Sequence, residues 1–196
     1  MKPPTAALFD IGNVLVHVDF LPSLLKLVPP GTADPQQLVE SLLEKKDEYE
    51  TGAMSDDEFV SWASRRLEFE GGAEEFRTAW CSLFSPVAAM WPVVAFLRSL
   101  GVRLFLFSNT NGLHAEWLLE NYPDLRDLFE ASVFSHEVGA IKPDEAIYHF
   151  AVETHGLCPE DTLYIDDLPE NIATGHRLGF RALEAHIWIW FRWLTA

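Results

Sequence analysis

Phe9-Asp10-Ile11-Gly12-Asn13-Val14 is the stretch that decides the fold, because the largely apolar run of residues 5–9 changes here to a carboxylate and a glycine. Such an unbroken run is typical of a strand buried on both faces. Ser108-Asn109-Thr110 and Ile165-Asp166-Asp167 end two further runs in the same way, and Lys142-Pro143 lies between them. Open parallel α/β sheets bind ligands at the carboxyl ends of their strands. The sequence therefore predicts a ligand site at that edge.

Helical periodicity alternates with the apolar runs along most of the chain. This alternation predicts an α/β fold, an open, doubly wound parallel sheet of the Rossmann-like type with right-handed crossovers. Strands are predicted at residues 5–9, 102–107, 131–134, 162–165 and 180–183, and helices before Gly101, near residues 113–119, after Pro143 and after Pro169.

Residues 20–85 interrupt the alternation with helical signals alone. Asp34 and Pro35 form a helix start, and the segment 55–58, Ser-Asp-Asp-Glu, matches a capping box. We therefore predict a small helical cap domain at residues 20–85, inserted after the first strand. The α/β core domain would then comprise residues 1–19 and 86–196.

Composition narrows the class of protein and its partners. The chain has 196 residues, 48% of them apolar and 22% charged, as expected of a soluble globular protein. Its formal net charge of -16 argues against a nucleic-acid partner. Cys81 and Cys158 match no zinc spacing, and we expect both to be buried thiols in a reduced compartment.

The two ends of the chain predict a location away from membranes. The N-terminus lacks the apolar core of a signal peptide, which predicts a cytoplasmic protein. The aromatic tail, residues 186–196, is too short to span a bilayer and carries Arg192, so we interpret it as core packing or a subunit contact. We expect no membrane partner and either a monomer or a homodimer.

The polar residues at the strand ends suit phosphoryl chemistry. Asp10 is a candidate nucleophile, although an aspartate that only caps a loop is the alternative. Ser108 and Asn109 precede a helix, where free N–H groups attract an anion. Lys142 is a candidate to neutralise phosphate charge, with a plain surface lysine as the alternative. The pair Asp166-Asp167 offers hard oxygen ligands of the kind that Mg²⁺ prefers.

Together these segments resemble the haloacid dehalogenase superfamily, which consists mostly of metal-dependent phosphatases. The resemblance implies a nucleophile at Asp10, phosphate binding by Ser108, an essential Lys142 and a Mg²⁺ site at Asp10, Asp166 and Asp167. It also implies a helical cap. Three stretches are similar, more narrowly, to the bacterial alpha-D-glucose-1-phosphate phosphatases; they are residues 9–16, 106–111 and 166–172.

Gly12 departs from the superfamily pattern. Most phosphatases of the superfamily carry at this position an aspartate that protonates the leaving oxygen, whereas a glycine keeps only its backbone, which can still bind the metal or the substrate. One explanation is an anomeric phosphate, whose hemiacetal oxyanion leaves with little protonation. The other is a substitute acid just downstream, for which His17 and Asp19 are the candidates.

The resulting prediction is a hydrolase, a Mg²⁺-dependent phosphatase that acts on a small phosphorylated metabolite such as a sugar phosphate through an aspartyl-phosphate intermediate. Tyr49, Glu50 and Thr51 form a candidate substrate-facing loop in the cap. The alternatives are a metal-independent dehalogenase of the same superfamily and a catalytically inactive phosphate-binding protein. A receiver-like signalling module is disfavoured, because in receivers the acidic pair comes first in the chain.

Overall fold

The computed structural model describes residues 3–185, in which five parallel strands form the central sheet. The strands of the described residues are β1 (Ala6–Phe9), β2 (Val16–Val18), β3 (Phe84–Pro86), β4 (Arg103–Ser108), β5 (Ala131–Phe134), β6 (Thr162–Asp166) and β7 (Arg181–Glu184). The central sheet has the order β5-β4-β1-β6-β7, so β1 lies in the middle. The predicted fold class, an α/β protein with a doubly wound parallel sheet, is confirmed.

Eleven α-helices and three short 3-10 helices connect these strands in residues 3–185. The α-helices are α1 (Phe20–Leu24), α2 (Pro35–Glu40), α3 (Lys46–Glu50), α4 (Asp56–Arg66), α5 (Ala73–Cys81), α6 (Trp91–Ser99), α7 (Gly112–Asn121), α8 (Pro123–Asp127), α9 (Ser135–Val138), α10 (Glu145–His155) and α11 (Pro169–Arg177). The 3-10 helices are Leu25–Leu27, Ser41–Lys45 and Pro159–Asp161.

Strand β1 is buried on both faces, as its apolar sequence predicts. Ala7 and Phe9 face one hydrophobic cluster, which contains residues of α6, α7 and α8. Ala6 and Leu8 face the other cluster, which contains residues of α10 and α11. Because side chains alternate along a strand, a continuous apolar run is the pattern that a sheet covered on both faces requires.

The strand register brings the polar strand ends to one edge of the sheet. Phe9 lies beside Leu106 of β4 on one side and Ile165 of β6 on the other. The strands β4 and β6 run one residue further than predicted, so that Ser108 and Asp166 are the last residues of the strands. The backbone hydrogen bonds of the sheet therefore fix the positions of Ser108 and Asp166 directly.

The segment between β2 and β3 consists of helices with a hydrophobic cluster of their own. Phe59 of α4 and Phe76 and Trp80 of α5 are among its buried aromatic residues. The predicted capping box at the start of α4 is present, with Ser55 and Glu58 bonded to each other's backbone N–H.

An antiparallel ribbon that the sequence analysis missed joins this helical segment to the sheet. Strands β2 and β3 pair with Val16 opposite Pro86, and each has only three residues, too short for a periodicity signal. The predicted boundary between residues 85 and 86 lies inside β3. The division into two domains stays a prediction.

One prediction about the cysteines is wrong. Cys81 is buried, but Cys158 is exposed, because it lies at the surface just before the 3-10 helix Pro159–Asp161. The aromatic tail at residues 186–196 lies outside the described residues. None of the helices between residues 3 and 185 combines the length and the apolar character needed to cross a membrane.

Candidate active site

The carboxyl ends of β1, β4 and β6 place three predicted site residues next to one another. Asp10 directly follows β1, and its backbone N–H donates to the carbonyl of Ile165 at 2.9 Å. Ser108 and Asp166 end the flanking strands. All three residues are buried. Because the sheet ladder fixes their backbones, the side chains start from rigid positions.

Lys142 joins this group from the segment between α9 and α10. Its Nζ lies 2.6 Å from Asp166 Oδ2 and 3.0 Å from Asp10 Oδ1, and it donates to the Phe107 carbonyl at 2.8 Å. Burial alone would lower the pKa of Lys142, but the two carboxylates outweigh it and hold the pKa above its ordinary value. Lys142 is therefore a buried, charged and paired lysine, and not the surface lysine of the alternative interpretation.

Asn109 fixes the backbone of Lys142. Asn109 Nδ2 donates to the Lys142 carbonyl at 2.9 Å, and the Lys142 N–H donates back to Asn109 Oδ1 at 2.7 Å. This reciprocal pair connects the end of β4 to the lysine, so the amide positions the cation as well as lining the site.

Three carboxylates cluster beside Lys142. Asp10, Asp166 and Asp167 each offer an oxygen atom within 4.8 Å of the others. Burial, reinforced by Asp166 and Asp167 and opposed by Lys142, raises the pKa of Asp10 to about 6. Burial also raises the pKa of Asp167, with Asp166 adding to the increase. Clustered buried carboxylates of this kind suit a hard divalent cation such as Mg²⁺, whose charge offsets their repulsion.

The two members of the acidic pair differ in their hydrogen bonds. Asp166 Oδ2 accepts from Lys142 Nζ and from the Tyr164 hydroxyl, and Oδ1 accepts from the Leu168 N–H and from Asn171 Nδ2. Asp167 is less buried and accepts from Asn13 Nδ2 at 3.2 Å. Asp167 is therefore the carboxylate of the pair with more capacity for a direct metal bond.

Asn13 is a site residue that the sequence analysis missed. It has a φ of 54°, a left-handed conformation that asparagine tolerates better than most residues. From this position its side chain donates to Asp167 and accepts from the Val18 N–H. The Gly-Asn dipeptide after the first strand was the available signal for such a turn.

A cavity of about 300 Å³ opens beside the carboxylates, between the sheet edge and the helical segment. The sheet side contributes Gly12, Asn13, Ser108, Asn109, Thr110 and Asn111. The helical segment contributes Lys46, Tyr49 and Glu50, together with the apolar walls Phe20, Phe59 and Trp80. Two of the three residues of the predicted substrate-facing loop thus line the cavity. Thr51, the residue that follows α3, does not line it, and its hydroxyl donates back to the Asp47 carbonyl of that helix.

The structure does not bring the two candidate substitute acids to the cavity. Val18 lines it, and alternation along β2 turns the neighbouring His17 the other way. Asp19 is exposed at the start of α1. The sequence spacing suggested these residues because they follow Gly12 closely, but a strand directs adjacent side chains to opposite sides.

The family model of the haloacid dehalogenase-like hydrolases matches residues 4–179, and the chain belongs to this family. It is therefore a hydrolase.

Individual relatives cover nearly the whole chain. A D-ribitol-5-phosphate phosphatase from Bacteroides thetaiotaomicron is 28% identical over 185 residues, which are 90% of this chain and 89% of that protein. A crystal structure of a HAD family enzyme from the same organism, with magnesium and inorganic phosphate bound, has a TM-score of 0.82 at 22% identity and covers 94% of this chain and 96% of that one. A chain from Porphyromonas gingivalis, described as a HAD-like hydrolase, has a TM-score of 0.77 at 28% identity, covering 99% and 97%.

Proposed function

We propose that the chain is a Mg²⁺-dependent phosphatase that hydrolyses a small phosphorylated metabolite through an aspartyl-phosphate intermediate. The observation that carries the proposal is the placement of Asp10. Its carboxylate lies 3.0 Å from a buried lysine, within an acidic cluster and next to the residues that line the cavity. This combination supplies a nucleophile, positive charge and a metal site together.

Four groups would hold the magnesium ion in this proposal. They are the carboxylates of Asp10, Asp166 and Asp167 and the backbone carbonyl of Gly12, with Asp167 the freer member of the acidic pair. When bound, Mg²⁺ neutralises and orients the phosphate. The magnesium complex of the HAD family enzyme from B. thetaiotaomicron supports this choice of ion.

The residues of the chain would act in two steps. Asp10 forms a bond to phosphorus as the bond to the leaving oxygen breaks, and water then attacks the same phosphorus and releases inorganic phosphate and the Asp10 carboxylate. Lys142 balances the negative charge that builds up on the phosphoryl oxygens. Ser108 and Asn109 bind those oxygens from the end of β4.

The substrate proposed here is a small polyol or sugar phosphate. The similarity to a D-ribitol-5-phosphate phosphatase favours a primary alkyl phosphate. The narrower resemblance to alpha-D-glucose-1-phosphate phosphatases favours an anomeric one. The cavity volume is at the small end of the range for ligand pockets, which suits either. A cytoplasmic location and a monomeric or dimeric state stay predictions.

A turnover screen tests the proposal. We expect phosphate release from at least one member of a panel containing ribitol 5-phosphate, glucose 1-phosphate, glucose 6-phosphate and p-nitrophenyl phosphate. The Asp10→Asn variant should lose at least about 10³-fold of this activity, since the nucleophile is removed. Glu48→Gln, an exposed change on α3, is the matched control and should retain it.

Three results would contradict parts of the proposal. Phosphatase activity that survives chelation by EDTA would contradict the proposed requirement for Mg²⁺. Release of halide from a haloacid would favour the dehalogenase alternative. Binding of phosphate without turnover on any substrate would favour the catalytically inactive alternative.

A further inference from the structure

Glu50, at the end of α3, places a carboxyl group on the opposite side of the cavity from the sheet edge. It lines the cavity together with Gly12, the position that lacks the usual acid. The Glu50 side chain is only 16% exposed, although it lies on a short helix whose other acidic residues, Asp47 and Glu48, are exposed. A largely buried carboxyl in a cavity wall is uncommon without a function, because burial of a charged group is unfavourable.

The hydrogen bonds of Glu50 are incomplete. Its Oε2 is fully buried and has no hydrogen-bond partner among residues 3–185. Lys46 Nζ, one turn earlier on α3, is 3.8 Å away, too far for a hydrogen bond, and half of the lysine side chain is exposed. Buried polar atoms are nearly always satisfied, so Oε2 is a group that a substrate or a water molecule would complete.

Two contacts with the core and the insert hold α3 against the cavity. Gly52, two residues after Glu50, has a φ of 72°, and a Cβ atom there would lie 2.3 Å from the His136 carbonyl oxygen of α9. The Tyr49 hydroxyl donates to Asp56 Oδ1 at 2.7 Å. The backbone that carries Glu50 is therefore packed tightly on the α/β core.

Several charged groups face Glu50. Burial is the main cause that raises its pKa, to about 7; Asp47 and Asp10 raise it further, whereas Lys46 and Lys142 lower it. The elements packed against α3 also carry charged or titratable residues, namely Glu44 and Lys45 in the 3-10 helix before it and His136 and Glu137 in α9. Asp10 and Lys142 therefore lie close enough to Glu50 to influence its pKa, and Glu50 shares the cavity with Gly12 and Ser108 of the sheet edge.

We propose that Glu50 is the proton donor and acceptor of the reaction, in place of the acid that is absent at Gly12. The inference rests on the phosphatase function proposed above. It replaces His17 and Asp19, neither of which lines the cavity.

In the proposed role, Glu50 gives up a proton in the first step of hydrolysis and recovers one in the second. As Asp10 attacks phosphorus and the bond to the leaving oxygen breaks, the protonated Glu50 gives its proton to that oxygen, so the product leaves as an alcohol. In the second step the Glu50 carboxylate takes a proton from water as the water oxygen bonds to phosphorus. The bond to Asp10 then breaks, which releases phosphate and leaves Glu50 protonated again. A carboxyl group that titrates near neutral pH suits both directions of transfer.

The decisive experiment compares Glu50→Gln on two classes of substrate in the presence of Mg²⁺. An alkyl phosphate such as ribitol 5-phosphate or glucose 6-phosphate has a poor leaving group, so we expect kcat to fall about 10²- to 10⁴-fold. With p-nitrophenyl phosphate the leaving oxygen needs little protonation in the first step, so the rate of the p-nitrophenolate burst should fall less than about 10-fold. In the pH profile of kcat with the alkyl substrate, the decrease at alkaline pH should also disappear, because the variant has no Glu50 proton to lose.

Two further variants serve as controls. Glu48→Gln makes the same chemical change on an exposed residue of the same helix and should leave both activities unchanged. Gly12→Asp adds an acid at the vacant position, where a Cβ atom would lie 3.4 Å from a terminal methyl of Val18 and the backbone does not have a positive φ. Recovery of alkyl phosphate hydrolysis in the Gly12→Asp, Glu50→Gln double variant would support the inference.

The outcomes separate this inference from the proposed function. Equal losses on both classes of substrate, or no loss on the alkyl phosphates, would show that Glu50 only binds or positions and would overturn the inference while the phosphatase function stands. A wild-type protein that hydrolyses none of these substrates would overturn both.

Discussion

The two sides of the cavity differ in how completely their charged groups are bonded. On the sheet side, Lys142 Nζ contacts the Phe107 carbonyl and two carboxylates, and both oxygens of Asp166 accept hydrogen bonds. On the helical side, Glu50 Oε2 has no hydrogen-bond partner in the described part of the chain. A bonded network holds its atoms in one arrangement, whereas an unbonded carboxyl is available to exchange a proton or to contact a substrate.

This difference follows from where each side lies in the fold. The sheet side is built on neighbouring parallel strands, whose ladders fix the positions of Asp10, Ser108 and Asp166. The helical side is built on a five-residue helix held by a close contact at Gly52. We infer that the sheet side supplies phosphoryl transfer in general and that the helical side selects the leaving group. Three predictions test the contrast.

The largest expected effect on stability is that of Lys142→Met, which removes the cation from the sheet side. The variant leaves Asp10 and Asp166 buried beside each other without their partner, and we expect a loss of about 3–5 kcal/mol in the free energy of unfolding at pH 7. Urea denaturation in the presence of EDTA measures it. Lys45→Met removes a lysine from an exposed ion pair with Glu48 and should cost less than about 1 kcal/mol. Equal stability of the two variants would show that the buried network is not the rigid half of the site.

An intermediate effect is expected from Gly52→Ala, which tests how α3 is held. The new Cβ atom would lie 2.3 Å from the His136 carbonyl oxygen, and the alanine would also have to adopt a positive φ. We therefore expect a loss of about 2–4 kcal/mol in the free energy of unfolding. Gly31→Ala is the matched control, because Gly31 has a φ of 93° and its Cβ atom would meet nothing within 4 Å. It should cost only about 1–2 kcal/mol from the backbone alone. If thermal denaturation gave both variants the same loss, the contact with His136 would be unimportant.

The smallest expected effect is a pH-dependent stabilisation by Glu50→Gln. The folded state raises the pKa of Glu50 from 4.5 to about 7, so it binds a proton more tightly than the unfolded state, and Glu50 makes the wild type progressively less stable as pH rises through that window. Glutamine has no such penalty. We therefore expect the variant to equal the wild type near pH 4 and to exceed it by about 1–2 kcal/mol at pH 8.

The measurement is the free energy of unfolding of both proteins between pH 4 and pH 8. Glu48→Gln, which makes the same chemical change on an exposed residue of the same helix, is the matched control. A stability difference between Glu50→Gln and the wild type that does not change with pH would show that burial of the Glu50 carboxylate carries no penalty.

Sequence reasoning found the sheet side of the site and much less of the helical side. Asp10, Ser108 and Asp166 were predictable because an apolar strand that ends in a polar residue is a local signal. Asn109 was assigned to substrate binding, and the structure adds that its side chain also clamps the Lys142 backbone. This second contact joins residues far apart in the chain, so no local pattern indicates it.

The choice of an acid to replace the one absent at Gly12 shows the same limit of sequence reasoning. His17 and Asp19 were chosen for their closeness along the chain, but the course of β2 keeps them out of the cavity. The sequence pattern predicts Glu50 only as part of a loop between two helices, whereas in the structure it is the last residue of α3. Its position in the cavity that Gly12 also lines depends on how the helices dock onto the core, which hydrophobic periodicity within each helix does not describe.

By itself the sequence determined the class of fold, the order of the strands along the chain and the residues at their carboxyl ends, because burial on both faces of a strand requires a continuous apolar run. Only the tertiary structure decided which lysine neutralises which carboxylates, which carboxyl of the acidic pair has fewer hydrogen bonds, and which acid lines the cavity together with Gly12. Those relations depend on packing between segments distant in the chain, and packing is a property of the folded shape and not of local composition.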